Sequence, residues 1–448
     1  MKPKTKPGLQ NSHDSHPSHA SIKARLCRAL LLTVMLFMVL GAHRSSQMDS
    51  QVPDISQRIN SFTLDLLKYH AEGKDFPENS ILSPQSIFHG LALSYIASGG
   101  DTRKELGAVF HFPEKNEQLF KDLAGLQQGL RKADKQKRIE IAIANSLWLD
   151  ETYADFRKDY LEQVQDTYEA AVHRVQFEQR QRASDAINKW VSEKTRGKIQ
   201  KSVDPGDFIS RSRSNMVEEP ALVAVNAVYF KADWGRRFNS ASTRNRAFKT
   251  DKLTTVETPM MHQRSLLPYS EDEHLKFLEL PYVDNLFSMY VILPKEWIGI
   301  TELIKNVTID RLLELRRRAI IHEVDVLLPK FEMKSHLSVK EILSAMGIKS
   351  AFSSQKADFD KMILKKLEAF RIYISEIYHN AWIDVHEEGT EAAAATSTVH
   401  FSFGCSAPQR PKPAQFHADH PFMFMIMHNE SRSILFAGWI SNPEKSAQ

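Results

Sequence analysis

The order of helical and extended patterns along this chain predicts an α+β fold in one large domain spanning about residues 50–443. Segments with apolar residues at helical spacing fall early, as at 55–70 (ISQRINSFTLDLLKYH), 103–110 and 183–195, and β-rich runs such as 222–230 and 287–293 fall late. No repeating βαβ unit and no internal period argues for a doubly wound or solenoid alternative. No linker interrupts the sequence after the first amphipathic helix. Composition agrees: of 448 residues 42% are hydrophobic and 25% charged, with 17 Gly and 19 Pro, which excludes collagenous, low-complexity and fully disordered classes. Lys+Arg 59 against Asp+Glu 55 leaves +4, too small an excess for nucleic-acid binding by bulk charge, so only local basic patches could meet a polyanion.

The chain opens on a His-, Ser- and Lys-rich stretch in which Pro17 spoils the helical spacing of His13, His16 and His19, so no metal site is read there. Lys23, Arg25 and Arg28 then precede an uncharged run at 29–42 (ALLLTVMLFMVLGA), followed by polar sequence from His43. Residues 1–42 therefore read as a signal peptide or N-terminal leader, and the protein is expected to be secreted and extracellular. The run falls short of the roughly 20 residues that cross a bilayer, so no stable membrane span is expected, although an uncleaved anchor stays open. Of the two cysteines, Cys27 lies in this leader and Cys405 is alone in the remainder, which excludes a disulfide scaffold.

Signatures of catalysis are absent. The glycines never form the G-x-x-x-x-G-K-[ST] phosphate cradle, and G-x-S-x-G does not occur. His386-Glu387-Glu388 is followed by Gly389-Thr390 and His322-Glu323 by Val324-Asp325, so neither completes the zinc-protease motif. Cys405 lies in a Pro-rich stretch with no scaffold to pair it with His417 or His420. The protein is not expected to be an enzyme, nor to need a metal.

The most unusual stretch is Glu387-Glu388-Gly389-Thr390-Glu391 followed by Ala392, Ala393, Ala394, Ala395, Thr396, Ser397 and Thr398, then VHFSFGCS and three prolines, Pro408, Pro411 and Pro413. An Ala-rich helical turn is one reading. The Thr-Ser-Thr-Val run and the prolines suit an exposed extended loop better. In extended form Thr390, Ala392, Ala394, Thr396 and Thr398 share one face and Glu391, Ala393, Ala395 and Ser397 the other. Small residues on one face are what a strand needs to enter a packed sheet, because buried bulky or charged groups there would each cost several kcal/mol or more.

Here the chain resembles the serpin family, whose reactive loop begins with such a hinge of acidic pair, Gly, Thr and small residues. The resemblance extends over nearly the whole predicted domain. It includes NSILSPQSI at 79–87, INKWV at 187–191, TRGKI at 195–199 and VNAVYFK at 225–231 with Trp234 and Phe238. PMM at 259–261, LPKF at 328–331, ADF at 357–359 and FHADHPF at 416–422 follow in family order. The resemblance implies three β-sheets with eight or nine helices, and an exposed reactive-centre loop at about 387–415. It also implies the mechanism: a target serine protease cuts the loop and becomes acylated, and the freed loop enters the central sheet as a new strand, serpin insertion being itself an example of strand addition. From Gly389 to Phe403 an extended strand would be about 46 Å long, enough to carry a tethered protease far.

Site residues carry over by position. Glu387, Glu388, Gly389 and Thr390 match the proximal hinge, and Ala392, Ala393, Ala394 and Ala395 the small-residue run of inhibitory members. Ser83, Ser86, Asn226 and His379 match the shutter under the sheet, and Trp234 the breach where insertion begins. Counting from the hinge glycine places the reactive bond between Phe403 and Gly404, which suggests a chymotrypsin-like target; Phe401, Ser402 and Cys405 are rivals, because 404–415 is longer than usual. Arg410 is disfavoured by the proline after it. Arg131, Lys132, Lys135, Lys137 and Arg138 form a basic run that in some serpins binds glycosaminoglycan, while a solvated face is the plainer reading. Asn306-Val307-Thr308 and Asn429-Glu430-Ser431 fit the N-glycosylation pattern. The expected protein is a monomeric suicide-substrate inhibitor that forms a covalent acyl complex with its protease. A non-inhibitory carrier serpin and a cross-class inhibitor of cysteine proteases are the alternatives.

Overall fold

Helix α1 (Asp54–Ala71) buries Ile55, Ile59, Phe62, Leu66 and Leu67, apolar positions three or four apart that form one face. Helix α2 (Pro84–Ile96) behaves differently. Ser83 caps it, its hydroxyl accepting from the Ser86 N–H, Pro84 begins it, and every residue along it is buried. A helix enclosed on all sides belongs inside the core. The computed structural model describes residues 54–445 except 74–76, 135–137, 153, 169–170, 209, 212–216, 219–221, 367–370 and 390–411. All of them fall in one compact unit running from Pro53.

Among these residues the remaining helices are α3 (Gly100–Phe110), α4 (Asn116–Asp134), α5 (Lys158–Tyr168), α6 (Arg180–Lys194), α7 (Ile300–Asn306), α8 (Ile309–Arg318) and α9 (Lys340–Met346). Helices and strands thus follow the sequence order expected, six of the nine helices preceding residue 200.

The central sheet has five strands in the order β13 (Phe331–Ser338), β15 (Ile374–Val385), β7 (Leu222–Ala232), β2 (Ile139–Asp150) and β4 (Ala171–Val175). A longer path joins β1 (Ser80–Leu82), β18 (Ser433–Ile440), β17 (Phe422–His428), β11 (Phe287–Pro294) and β10 (Leu275–Pro281) to β9 (Thr255–Glu271), β12 (Ile320–Pro329) and β16 (Ala414–His417), with β8 (Arg244–Lys249) beside β9. Only Tyr269, Ser270 and Glu271 of β9 pair with β10, while β9 pairs along ten residues with β12. The path is therefore two sheets sharing a long strand, which with the central sheet makes three. Two short pairs, β3 (Ala154–Phe156) with β14 (Ile363–Lys366) and β5 (Ser210–Arg211) with β6 (Val217–Glu218), complete the set.

Strand β7 is buried on both faces, which is why LVAVNAVYF reads as an almost continuous apolar run. Val223, Val225 and Ala227 pack with Ala183, Ile187 and Val191 of α6. Val228, Phe230 and Ala232 lie on the opposite face, with Phe287, Met289 and Phe436. Each buried Val, Ile, Phe or Met among these contributes about 1.5–3 kcal/mol, so the sheet is held from two sides. The expected loop limit at 415 is shortened: Ala414 and Gln415 pair in parallel with Val324 and Asp325, because β12 offers an open edge there.

Candidate functional site

The site begins at a seam. Strands β7 and β15 run parallel, from Leu222 opposite Ile374 to Tyr229 opposite Trp382, while their outer neighbours β2 and β13 are antiparallel to them. A strand entering this seam antiparallel to both would turn five successive strands into one antiparallel array, the slightly more stable pairing per residue.

Beyond Trp382 and Tyr229 the two strands part, and Gly389 stands between their ends. It forms antiparallel bridges to Asp233 on one side and His386 on the other. The N–H of His386 donates to the Gly389 carbonyl and that of Gly389 to the His386 carbonyl, both at 3.1 Å. Gly389 has φ +121°, and a Cβ there would lie 2.4 Å from the Ala232 oxygen and the Trp234 nitrogen, so only glycine fits.

The two acidic hinge residues are pinned. Trp234 N–H donates to the Glu388 carbonyl at 3.0 Å and Phe238 N–H to the Glu387 carbonyl at 2.9 Å. The Glu387 carboxylate accepts from Thr243 Oγ1 at 2.7 Å and pairs with Lys330 Nζ at 2.9 Å. Burial pushes its pKa up, but the Thr243 hydroxyl and Lys330 ammonium outweigh that and hold it below the usual carboxylate range. Trp234 is buried, stacks on Tyr282 at 4.4 Å between centroids, and donates its indole N–H to the His386 carbonyl at 2.8 Å. Asp233 is fixed by Arg138 and Arg237 at 2.8 and 2.7 Å.

Halfway down the seam the structure brings together Ser83, Ser86, Asn226 and His379. Asn226 and His379 face each other across it. Ser83 N–H donates to His379 Nε2 at 2.9 Å, which leaves the imidazole proton on Nδ1, an atom with no protein partner. Complete burial lowers the His379 pKa to about 3. Asn226 Nδ2 donates to Asn145 Oδ1 at 2.7 Å, and Ser86 Oγ donates to the same oxygen at 2.8 Å, while Asn226 Oδ1 is buried without a protein partner. Gly90 of α2 lies so close that a Cβ would come within 2.3 Å of Asn226 Nδ2.

Asn145, Gly90, Thr243 and Lys330 belong to this constellation and were not singled out from sequence. Asn145 carries a signal in retrospect, as an amide within the otherwise apolar alternation of β2. Thr390, Ala392, Ala393, Ala394, Ala395, Phe403 and Gly404 lie outside the described residues, as do Lys135 and Lys137 of the basic run. Arg131 and Lys132 are exposed at the end of α4. Arg138 is half exposed and pairs through Nε with Asp233, a buried carboxylate that Arg237 shares.

Comparison with known proteins agrees with this geometry. The family model "Serpin (serine protease inhibitor)" matches residues 57–443. The chain is 34% identical over 393 residues to an uncharacterized serpin-like protein of Methanosarcina acetivorans, covering 87% of each, and 33% identical over 400 residues to the leukocyte elastase inhibitor of Xenopus laevis, covering 87% of this chain and all of that one. The thermophilic serpin tengpin in its native state superposes with a TM-score of 0.75 at 28% identity, over 88% of this chain and 95% of tengpin. A three-sheet protein with one parallel seam in its central sheet is the class that the fold defines. The chain belongs to the serpin family, a family described as serine protease inhibitors and not as catalysts.

Proposed function

We propose that the protein is a secreted suicide-substrate inhibitor of serine proteases that traps the acyl-enzyme by inserting its cleaved loop between β7 and β15. The observation that carries this reading is Gly389, already paired antiparallel to both seam strands as the first rung of a ladder. Continuing that ladder by seven residues sets Thr396 opposite Asn226 on β7 and His379 on β15, two residues that are themselves register partners. Both sides of the seam thus give one register.

Directly opposed residues share a face, so Thr390, Ala392, Ala394, Thr396 and Thr398 would enter on the side of Asn226 and Phe230, and Glu391, Ala393, Ala395 and Ser397 on the side of α6. Glu391 comes opposite Lys231. Thr396 brings a hydroxyl, donor and acceptor at once, to His379 Nδ1 and Asn226 Oδ1, which lack partners in the closed seam. Unmade bonds at buried polar groups cost about 1–3 kcal/mol each, a reservoir that insertion releases.

The reactive bond in this reading is Phe403–Gly404, with a chymotrypsin-like target and a monomeric inhibitor; glycosaminoglycan, if it binds, does so through Arg131 and Lys132 with Lys135 and Lys137. Mixing the protein with chymotrypsin tests it. A complex that survives denaturing electrophoresis, with a released C-terminal peptide beginning at Gly404, is the expected result. Clean cleavage without a complex by chymotrypsin-, elastase-, trypsin- and papain-like enzymes would overturn inhibition in favour of a carrier role. Retention on heparin that weakens with salt is the expected sign of the polyanion site.

A further inference from the structure

The two N-glycosylation patterns are chemically alike in sequence and unlike in structure. Asn306 is the last residue of α7 and is exposed, its amide making one 3.3 Å contact to the exposed Glu302 carboxylate. Val307 follows in extended conformation, and Thr308 caps α8, its Oγ1 accepting from the Arg311 N–H at 3.2 Å. Nothing at this turn depends on the Asn306 side chain.

Asn429 is the opposite case. Its Nδ2 donates to Ser288 Oγ at 2.9 Å and to Asn285 at the carbonyl and Oδ1, 3.0 and 3.2 Å away, while its Oδ1 is buried. An amide nitrogen has two hydrogens, and these contacts use both. Glycosylation replaces one of them with a sugar carbon. The hydroxyl of Ser431 is occupied as well, by His428 Nδ1 and the Ser433 N–H.

We infer that Asn306 carries an N-linked glycan in the mature protein and that Asn429 does not. In the transfer, Asn306 Nδ2 forms a bond to the anomeric carbon of a lipid-pyrophosphate-linked oligosaccharide. The bond from that carbon to the pyrophosphate oxygen breaks, lipid pyrophosphate leaves, and one amide proton passes to a base of the transferase. The acceptor must be an exposed Asn in a chain that enters the secretory route, so the inference rests on the secretion proposed above. A glycan on Asn429 would remove at least one of its hydrogen bonds and crowd the turn between β17 and β18, so a chain modified there would fold poorly.

The test expresses the full chain in eukaryotic cells, once as it stands and once behind an added export signal of proven efficiency. Protein from the medium is treated with peptide N-glycosidase, and Asn306 and Asn429 peptides are compared by mass. The expected result is one glycan: treatment converts residue 306 to an acid, Asn306→Gln abolishes the mobility shift, Thr308→Ser keeps it, and Asn429→Gln leaves it unchanged. Exported protein with Asn306 unmodified, or with a glycan on Asn429, overturns the inference. Retention of the natural chain inside the cell would overturn secretion alone, because the signal-bearing chain still decides the site.

Discussion

Lys330 and Glu387 form an ion pair of 2.9 Å that ties the end of β12 to the turn ahead of the predicted reactive loop. Glu387 is nearly buried and Lys330 partly exposed, and the Thr243 hydroxyl completes the carboxylate's contacts. The hinge is thereby held shut by side chains as well as by the backbone rungs at Gly389.

Glu387→Ala should cost about 1.5–3 kcal/mol, the worth of hydrogen bonds to a charged group, and Glu387→Lys more, since two ammonium groups would meet. Thermal unfolding of the native form reads the loss, and size-exclusion after mild heating should show self-association as the seam loosens. A melting temperature unchanged in both variants would remove the clamp.

The same contact has a pH dependence. The folded pKa of Glu387 lies below its ordinary 4.5, so the stabilisation is complete above about 4.5 and is lost as pH falls through the lower folded value. Glu387→Gln should make the stability curve flatter in that acid window and leave it parallel to the parent at neutral pH.

His379 acts at higher pH. With its pKa lowered from 6.5 to about 3, it binds a proton in the unfolded chain before the folded one, so its contribution is whole above about 6.5 and declines as pH falls toward 3. The slope is about 1.4 kcal/mol per pH unit for one proton, and His89, lowered by burial to about 4, adds a second. Denaturant unfolding between pH 7 and 4.5 should show a shallower slope for His379→Gln than for the parent.

Asn226→Ala removes the bond to Asn145 and leaves Asn145 Oδ1 with the Ser86 hydroxyl alone; about 1–3 kcal/mol of native stability should go, and loop insertion should accelerate. Gly90→Ala should produce a similar loss from the opposite side, by pushing Asn226 out of place. If both stability and insertion rate stay at parental values, the shutter role fails.

Thr396→Arg would place a charge against Asn226 and His379 in the inserted register. Clean cleavage should then replace most covalent complex with chymotrypsin, whereas Ser397→Arg, on the α6 side, should be better tolerated. Equal yields of complex from the two variants would refute the register.

Much of this was legible in the chain. Ser83, Ser86, Asn226 and His379, and likewise Glu387, Glu388 and Gly389, were named from short patterns and each set comes together in the structure, and the burial of β7 on both faces shows directly in its unbroken apolar run. The partners of the hinge were not legible. Lys330 sits between β12 and β13, 57 positions before Glu387, and Thr243 in a turn 144 before it, with nothing local to mark either as its contact. The partner of Arg138 was not legible either: Asp233 lies 95 positions on.

The sequence by itself determined the α+β class and the family, because periodicity and local motifs are properties of neighbours along the chain. Only the tertiary structure decided that Gly389 forms a rung with both Asp233 and His386, from which the proposed insertion register follows. Register between distant strands is set by packing and by ladder hydrogen bonds, and a shift of one residue would turn every loop side chain to the other face.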